Sequence, residues 1–357
     1  MKSIVNRYIF FKTLKLALFF LVSIFIIFVV IDFSYHGSKL FVTSNVSFNT
    51  IFQYYLNTFF VNLKIFLPLT YMLAMMKVLT DMNVHNELVA LRTSGISTSK
   101  IFAPFLYLAI IFCVLSYINL EKIYPNALTF KDTFKEKYLK INKKNKKMNL
   151  PNVIYLDDSS RLVYQKYNKE KKELFDVFLI KSSNDIWHAK YLNIETFPLV
   201  GKYVDQFLKT DSTFIKQNSF EEYTFKDIKF DFEDIKQVFL AYETKSISDL
   251  FKDKFLKKIP FNKEKAEIST QFYNKLFSPL IFFIIAISIF PPLLMFSRNI
   301  SIFFISFFSL FGFVIFFMII DSSIILSENN VIPSIFCISF PYLLSFSIFF
   351  KKFIKIL

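Results

Sequence analysis

The sequence predicts an α-helical membrane protein with six transmembrane helices, three before and three after an inserted extracytoplasmic all-β domain. Three observations lead there. Six runs are apolar enough to cross a bilayer, which takes roughly 20 residues; they lie near 9–31, 58–79, 101–120, 276–297, 300–320 and 331–350. A long polar region between the third and fourth carries the two-residue alternation of half-buried strands. The short loops, finally, hold their positive charge almost entirely on one side.

Taking the elements in order, the first run opens among Lys2, Arg7, Lys12 and Lys15 and continues into "VVIDFSY". It lacks a small-residue cleavage site and so reads as a span rather than a removable signal. The last four runs contain no Lys, Arg, Asp or Glu. Lys77 at the inner end of run two is followed by Arg92 and Lys100 before run three, Arg298 lies between four and five, and Lys351, Lys352 and Lys355 after six. With the four at the start these make eleven positive residues against Lys39 alone in the short loops of the other side. That bias puts both termini in the cytoplasm and the central region outside it. The formal charge of +15 lies largely beside spans, where it reports orientation, so it does not call for a nucleic-acid partner.

The domain limits follow. Residues 1–120 hold spans one to three with a short cytoplasmic helix at about 83–95, and 121–147 form a basic helical extension ending in "INKKNKK". Residues 148–245 read as β. "NVIYLDDSSRLVYQKY" has strand formers on both sides of a turn signal, and Ile228, Phe230 and Phe232 alternate with Lys229, Asp231 and Glu233. Several short strands over such a length fit a sandwich or open barrel. From Ser246, "SISDLFKDKFLKKI" opens with a capping residue and turns helical, giving a connecting helix over 246–275 before spans four to six in 276–357.

The inventory of chemistry is thin. His36, His85 and His188 are far apart and fall on different sides of the membrane, so they read as solvated or structural rather than as a metal cluster. Cys113 and Cys337 fall inside spans. With glycine only at 37, 95, 201 and 312, no phosphate-cradling loop can be assembled, and no metalloprotease, dithiol or nucleophile-elbow motif occurs. The chain reads as a non-enzyme without cofactor; any ATP used on its behalf is bound by another chain.

One polar stretch stands out, "NELVALRTSGIS" at 86–97. Val84, Leu88 and Leu91 fall on one helical stripe. Glu87 and Arg92 sit favourably against the helix dipole. Gly95 is placed as a left-handed C-terminal cap followed by apolar Ile96, and Ser97 to Ser99 offer caps for span three. The residues alone leave two readings open: a stripe packed on the chain's own helix ends or on head groups, or one that docks a partner.

Lys64 interrupts span two, roughly 22 Å from its inner edge at 1.5 Å per residue. Snorkelling to the outer interface would satisfy it, as would contact with a lipid phosphate or acidic sugar; Lys39, Lys122 and Lys131 lie at a similar level. Pro68, Pro104, Pro279, Pro291, Pro292 and Pro341 interrupt spans, each removing a backbone hydrogen bond.

"NELVALRTSGIS" resembles the E-L-x-x-L-x-x-x-G-[IF]-S cytoplasmic segment of the lipopolysaccharide export permeases, the LptF/LptG (YjgP/YjgQ) family. "NRYIFFKTLK" resembles that family's Arg-Tyr opening, "IFLPLTYMLAMM" its proline-bearing second span, and "YNKLFSPLIFFIIAISIFPPLLMFSR" its fourth. The layout is also the family's, so the resemblance covers essentially the whole chain, and "VVIDFSYHG" with the chain length resembles the G-like partner more. It implies a permease subunit of an inner-membrane ABC exporter for lipopolysaccharide, paired with a second homologous permease. A dimeric cytoplasmic ABC ATPase would dock on a coupling helix carrying Val84, Glu87, Leu88, Leu91, Arg92 and Gly95. It also implies a jellyroll-like β-domain that hands lipid to a periplasmic bridge of similar β-fold, basic residues near the outer span ends as lipid contacts, and bending at Pro68, Pro279, Pro291 and Pro292. The rivals are a permease for another lipid or a different ABC exporter, and a membrane-anchored sensor or assembly factor with a periplasmic β-domain.

Overall fold

A computed structural model describes residues 4–38, 46–138, 152–155, 160–168, 173–182, 184–193, 198–210, 213–225, 242–255, 262–294 and 302–354. The chain divides into two compact units, Met1–Ile141 with Tyr242–Leu357, and Asn142–Ala241.

The first unit is helical. Six of its helical stretches are long and apolar enough to cross a membrane. Helix α1 is Ile4–Ser38, α2 Phe48–Val84, α3 Glu87–Thr93, and α4 Thr98–Ile118. A π-turn at Asn119–Ile123 joins α4 to α5, Tyr124–Tyr138. After the second unit come a 3₁₀ turn at Tyr242–Thr244, α6 (Ile247–Phe255) and α7 (Asn262–Phe277). A further 3₁₀ turn at Ser278–Leu280 leads into α8 (Ile281–Leu294), and α9 (Ile302–Glu328) and α10 (Ser334–Ile354) complete the unit.

The core lies where α2, α4 and α8 meet. Tyr71, Met75, Leu79, Phe105, Phe282 and Phe290 are sealed there, and the one polar atom Tyr71 brings with it donates to the Phe105 carbonyl at 2.9 Å. By contrast α1 and α9 leave most of their apolar surface uncovered, from Leu18 to Val30 and from Phe303 to Phe311. Apolar all round and uncovered by its own chain, a helix of this kind is suited to lipid or to another span.

Helix lengths exceed the apolar runs because the chain keeps helical geometry on both sides of the bilayer. The connecting helix expected over 246–275 is two helices, and α7 runs into the fourth span with only the turn at Pro279 between. Pro279 cannot donate to the preceding turn, and the helix tightens to 3₁₀ there. The Leu276 carbonyl beside it accepts from Tyr117 at 2.6 Å. Pro68 is buried inside a continuous α2, while Pro291 and Pro292 lie in the last turns of α8.

The second unit is an antiparallel sheet of six described strands in meander order: β1 Asn152–Tyr155, β2 Arg161–Asn168, β3 Glu173–Ser182, β4 Asp185–Asn193, β5 Leu199–Thr210 and β6 Thr213–Phe225. The inserted β-domain is thus present, and β1 and β2 are the two arms of the expected hairpin. The alternating segment at 228–233 lies outside the described residues.

A crease crosses this sheet. Pairing is interrupted at Gln165, Asp176, Lys190, Tyr203 and Glu221, which face one another in one row, although the register on either side is unchanged. Asp176 and Tyr203 in that row have φ of 54° and 53°. The alternation of buried residues reverses there too: Leu174 precedes the row on β3 but Val177 and Leu179 follow it, and Leu199 precedes Val204 on β5. Each strand turns a corner at the row and so keeps one apolar face inward on both sides of it. Gly201 is beside the bend because a Cβ would sit 2.9 Å from Val204 Cγ2 and 3.0 Å from Phe225 Cε2. Trp187, against Tyr223 and Phe225, fills the enclosed face.

Candidate functional site

Two polar regions of the helical unit lie at opposite ends of its spans. The first is α3. Its helix does not begin at 83: α2 runs on to Val84, His85 Nδ1 bonds the Asp81 carbonyl at 2.8 Å, and Asn86 breaks the helix in the left-handed region at φ 56°. Val84 therefore closes α2 and does not share a face with Leu88. Leu88 is 2% exposed in the chain's own core, and Leu91 and Ile96 pack against that core from outside. The exit is a Schellman cap, with Gly95 at φ 83°, its N–H on the Arg92 carbonyl at 3.1 Å and the Ile96 N–H on that of Leu91 at 3.1 Å. Seating of α3 thus consumes Leu88, Leu91 and Ile96. Its outward surface is Val89 (58% exposed), Ala90, Arg92 and Thr93. Tyr8 on α1 donates to the Glu87 carboxylate at 3.4 Å and accepts from Lys12 at 3.1 Å. Beside α3, Asn83 donates to the Leu293 carbonyl of α8 at 2.5 Å.

The second region is one bilayer away. Lys64 precedes Val84 by 20 residues, Asn119 follows Thr98 by 21, and Lys275 precedes Leu294 by 19. At 1.5 Å per residue each lies about 30 Å from the α3 end, the thickness of a hydrocarbon core. There the chain returning from the β unit is locked down. Lys275, 4% exposed, donates to the Glu243 carbonyl at 2.8 Å and the Lys245 carbonyl at 2.5 Å. Lys245 in turn pairs with Asp253 at 2.6 Å, their side chains 7% and 6% exposed. Glu121, swung out by the π-turn, accepts from the backbone N–H of Ile247 at 2.9 Å and of Ser248 at 3.3 Å, and from the Ser248 hydroxyl. It thereby caps α6, whose own Ser246 hydroxyl accepts from the Asp249 N–H at 3.1 Å. Asn119 donates to the Phe60 carbonyl at 3.1 Å, tying the π-turn to α2.

Lys64 belongs to this cluster. Its ammonium is 3.8 Å from Glu243 Oε1, which also accepts from Tyr124 at 3.1 Å. Both Lys64 and Lys275 lie over the Tyr124 ring, at 5.6 and 5.0 Å. Lys131 is on α5, where Asp32 and Lys64 contribute to its electrostatic surroundings; Lys122 is exposed on the π-turn, and Lys39 lies outside the described residues. The histidines hold local partners: His36 pairs with Asp32, His85 with the Asp81 carbonyl and His188 with Asp176.

A family profile described as lipopolysaccharide export system permease LptF/LptG matches residues 7–354. The chain belongs to this family. It is a multi-pass inner-membrane permease subunit of lipopolysaccharide export. No curated protein matches the chain. Sequence reasoning on the permease singled out Lys64 and α3 but not their neighbours Tyr8, Glu121, Glu243 and Lys275. Tyr8 and Lys275 stand within the stretches that resemble the family. Glu121 and Glu243 carry no local signal, because their partners are more than a hundred residues away in sequence.

Proposed function

We propose that this permease pairs with a second, homologous permease and is driven by a dimeric cytoplasmic ABC ATPase that docks on α3. Lipopolysaccharide is drawn from the bilayer into the space between the two permeases, and ATP-driven closure moves it to the β unit. A periplasmic bridge protein of jellyroll type receives it there. Both termini and α3 face the cytoplasm and the β unit faces the periplasm, as the loop charges indicate. The G-like assignment rests on "VVIDFSYHG" and the chain length.

The observation that carries the coupling role is the two-sided use of α3. Leu88, Leu91 and Ile96 fix it to the span ends, so a force on its other face passes to α2, α4 and α8. That other face presents Val89, Ala90, Arg92 and Thr93 to solvent. Co-purification of the ATPase tests it: Val89→Asp and Arg92→Glu should lose the ATPase with the permease still present at wild-type amount. Full ATPase retention in both would remove α3 from the interface. Sidedness is tested with Asn184→Cys, on the exposed β3–β4 turn, which should react with an impermeant thiol reagent in intact spheroplasts. Reaction only after lysis would place the β unit on the other side.

A further inference from the structure

The Lys64–Glu243 contact differs from every other charged contact around it. Lys275 is sealed on two carbonyls, Lys245 is sealed on Asp253, Glu121 is spent on the start of α6, and Asp249 accepts from Ser246. The Lys64 and Glu243 side chains are 40% and 51% exposed, and their separation of 3.8 Å is at the outer limit of an ion pair. Among the described residues Glu243 is the carboxylate that reaches Lys64. An open, long pair of this kind is a weak one. Its two members are nevertheless held in place. Tyr124 is buried against Val61, Leu120 and Leu128, and it both supports the Lys64 ammonium and donates to Glu243. The Glu243 backbone is pinned by Lys275. With its side chain 51% exposed, the Glu243 carboxylate has solvent beside it to move into when it leaves Lys64.

We propose that Glu243 is a built-in counter-ion that occupies Lys64 until an anionic lipid headgroup displaces it. A lysine at the edge of the hydrocarbon core needs an anion, and the bilayer supplies weakly binding phospholipid phosphates in great excess. A competing carboxylate lowers the affinity for every anion by one common factor. Abundant, weakly held phospholipids then fall below useful occupancy, whereas a multiply charged headgroup, which also feels the buried Lys275 ammonium, does not. Glu243 is therefore a positioning residue that sets a threshold for Lys64. The inference rests on the export reading, since that reading supplies the multiply anionic lipid.

The test uses the full-length permease in phosphatidylcholine nanodiscs and a fluorescent lipopolysaccharide displaced by unlabelled lipopolysaccharide, phosphatidylglycerol or inorganic phosphate. Glu243→Gln keeps an acceptor for Tyr124 and removes the competing charge. It should tighten lipopolysaccharide and phosphatidylglycerol by the same factor, between about two- and five-fold, the range a weak exposed pair allows. In a Lys64→Gln background the same change should do nothing. Absence of a gain in Glu243→Gln, or a gain that survives Lys64→Gln, overturns the counter-ion role. Inorganic phosphate that displaces as well as the lipids do would assign the site to free phosphate instead. Failure of the wild type to bind lipopolysaccharide at all is separate: it overturns the export reading, and the exchange with it.

Discussion

At the α3 end, Glu87 meets Tyr8 across 3.4 Å in the open and Arg92 reaches solvent, while at the other end of the same spans Lys275 and the Lys245–Asp253 pair are sealed from it. The contrast is not one of composition, since both ends are built from Lys, Glu and Tyr. It lies in what the charges are for. A buried charge must be fully satisfied by its own chain or it is costly, so at the end that holds the returning polypeptide Lys275, Lys245 and Asp253 are spent on the chain itself. An exposed charge contributes little to the fold, which leaves the α3 end free to spend its polar side chains on a partner. One end is a junction and the other is a surface.

Removing one member of the sealed pair sharpens that contrast most. Lys245→Met leaves the Asp253 carboxylate buried without its ammonium and should cost about 3–5 kcal/mol. The double variant Lys245→Met with Asp253→Leu should recover most of the loss, because two apolar groups need no partner. Thermal unfolding in detergent measures both. A single variant as stable as wild type would mean that the pair is open to water after all.

At the α3 end the same measurement should split adjacent residues. Leu88→Ala opens a cavity in the core and should cost about 3 kcal/mol, whereas its exposed neighbour Val89→Ala should stay within about 0.5 kcal/mol. ATPase binding should show the reverse order for Val89→Asp relative to its effect on stability. Equal destabilisation by the two alanines would show that α3 is buried on both faces. Gly95→Ala should fall between them, at about 1–2 kcal/mol, since φ of 83° puts a Cβ against the following carbonyl while the space around it is open. Its effect should appear in unfolding and be equal with or without bound ATPase.

Legibility of these features in the sequence follows the range of the interactions. The six spans, the 95–96 cap and the cap at Ser246 depend on residues within one or two turns, and periodicity and turn chemistry report them directly. The end of α2 was misplaced by the same logic, because Val84, Leu88 and Leu91 keep helical spacing across a break that only the left-handed Asn86 creates. The crease through Asp176, Lys190 and Tyr203 is invisible in any one strand, where it looks like an irregular alternation; it becomes a feature only when the register lines the irregularities up. Lys64 announced itself by its cost in a span. Its partner could not be named, because Glu243 comes from the far side of the inserted domain.

The smallest expected effect carries the comparison into the β unit. Asp205 on β5 is a partly exposed charge, its side chain 30% exposed: its Oδ1 takes the Lys216 ammonium at 2.8 Å and the Ser219 hydroxyl at 2.5 Å across the β5–β6 ladder. Lys216 first, and Ser219 after it, hold the carboxyl below its ordinary value of 3.8. A carboxyl lowered in the folded state adds stability above its unfolded value and loses it as pH falls through the folded one. The difference between wild type and Asp205→Asn should therefore be largest well above the ordinary carboxyl value and close progressively from about pH 5 downward. Exposure keeps it small, well under the cost of Lys245→Met, if exposure is what separates the two ends of the membrane unit. Trp187 is the chain's single tryptophan and lies in the β core, so its fluorescence during denaturant unfolding reports this unit alone. A difference that persists unchanged to pH 3 would exclude the Asp205 charge as its source. One as large as that of the buried pair would show that burial does not decide which charges this protein depends on.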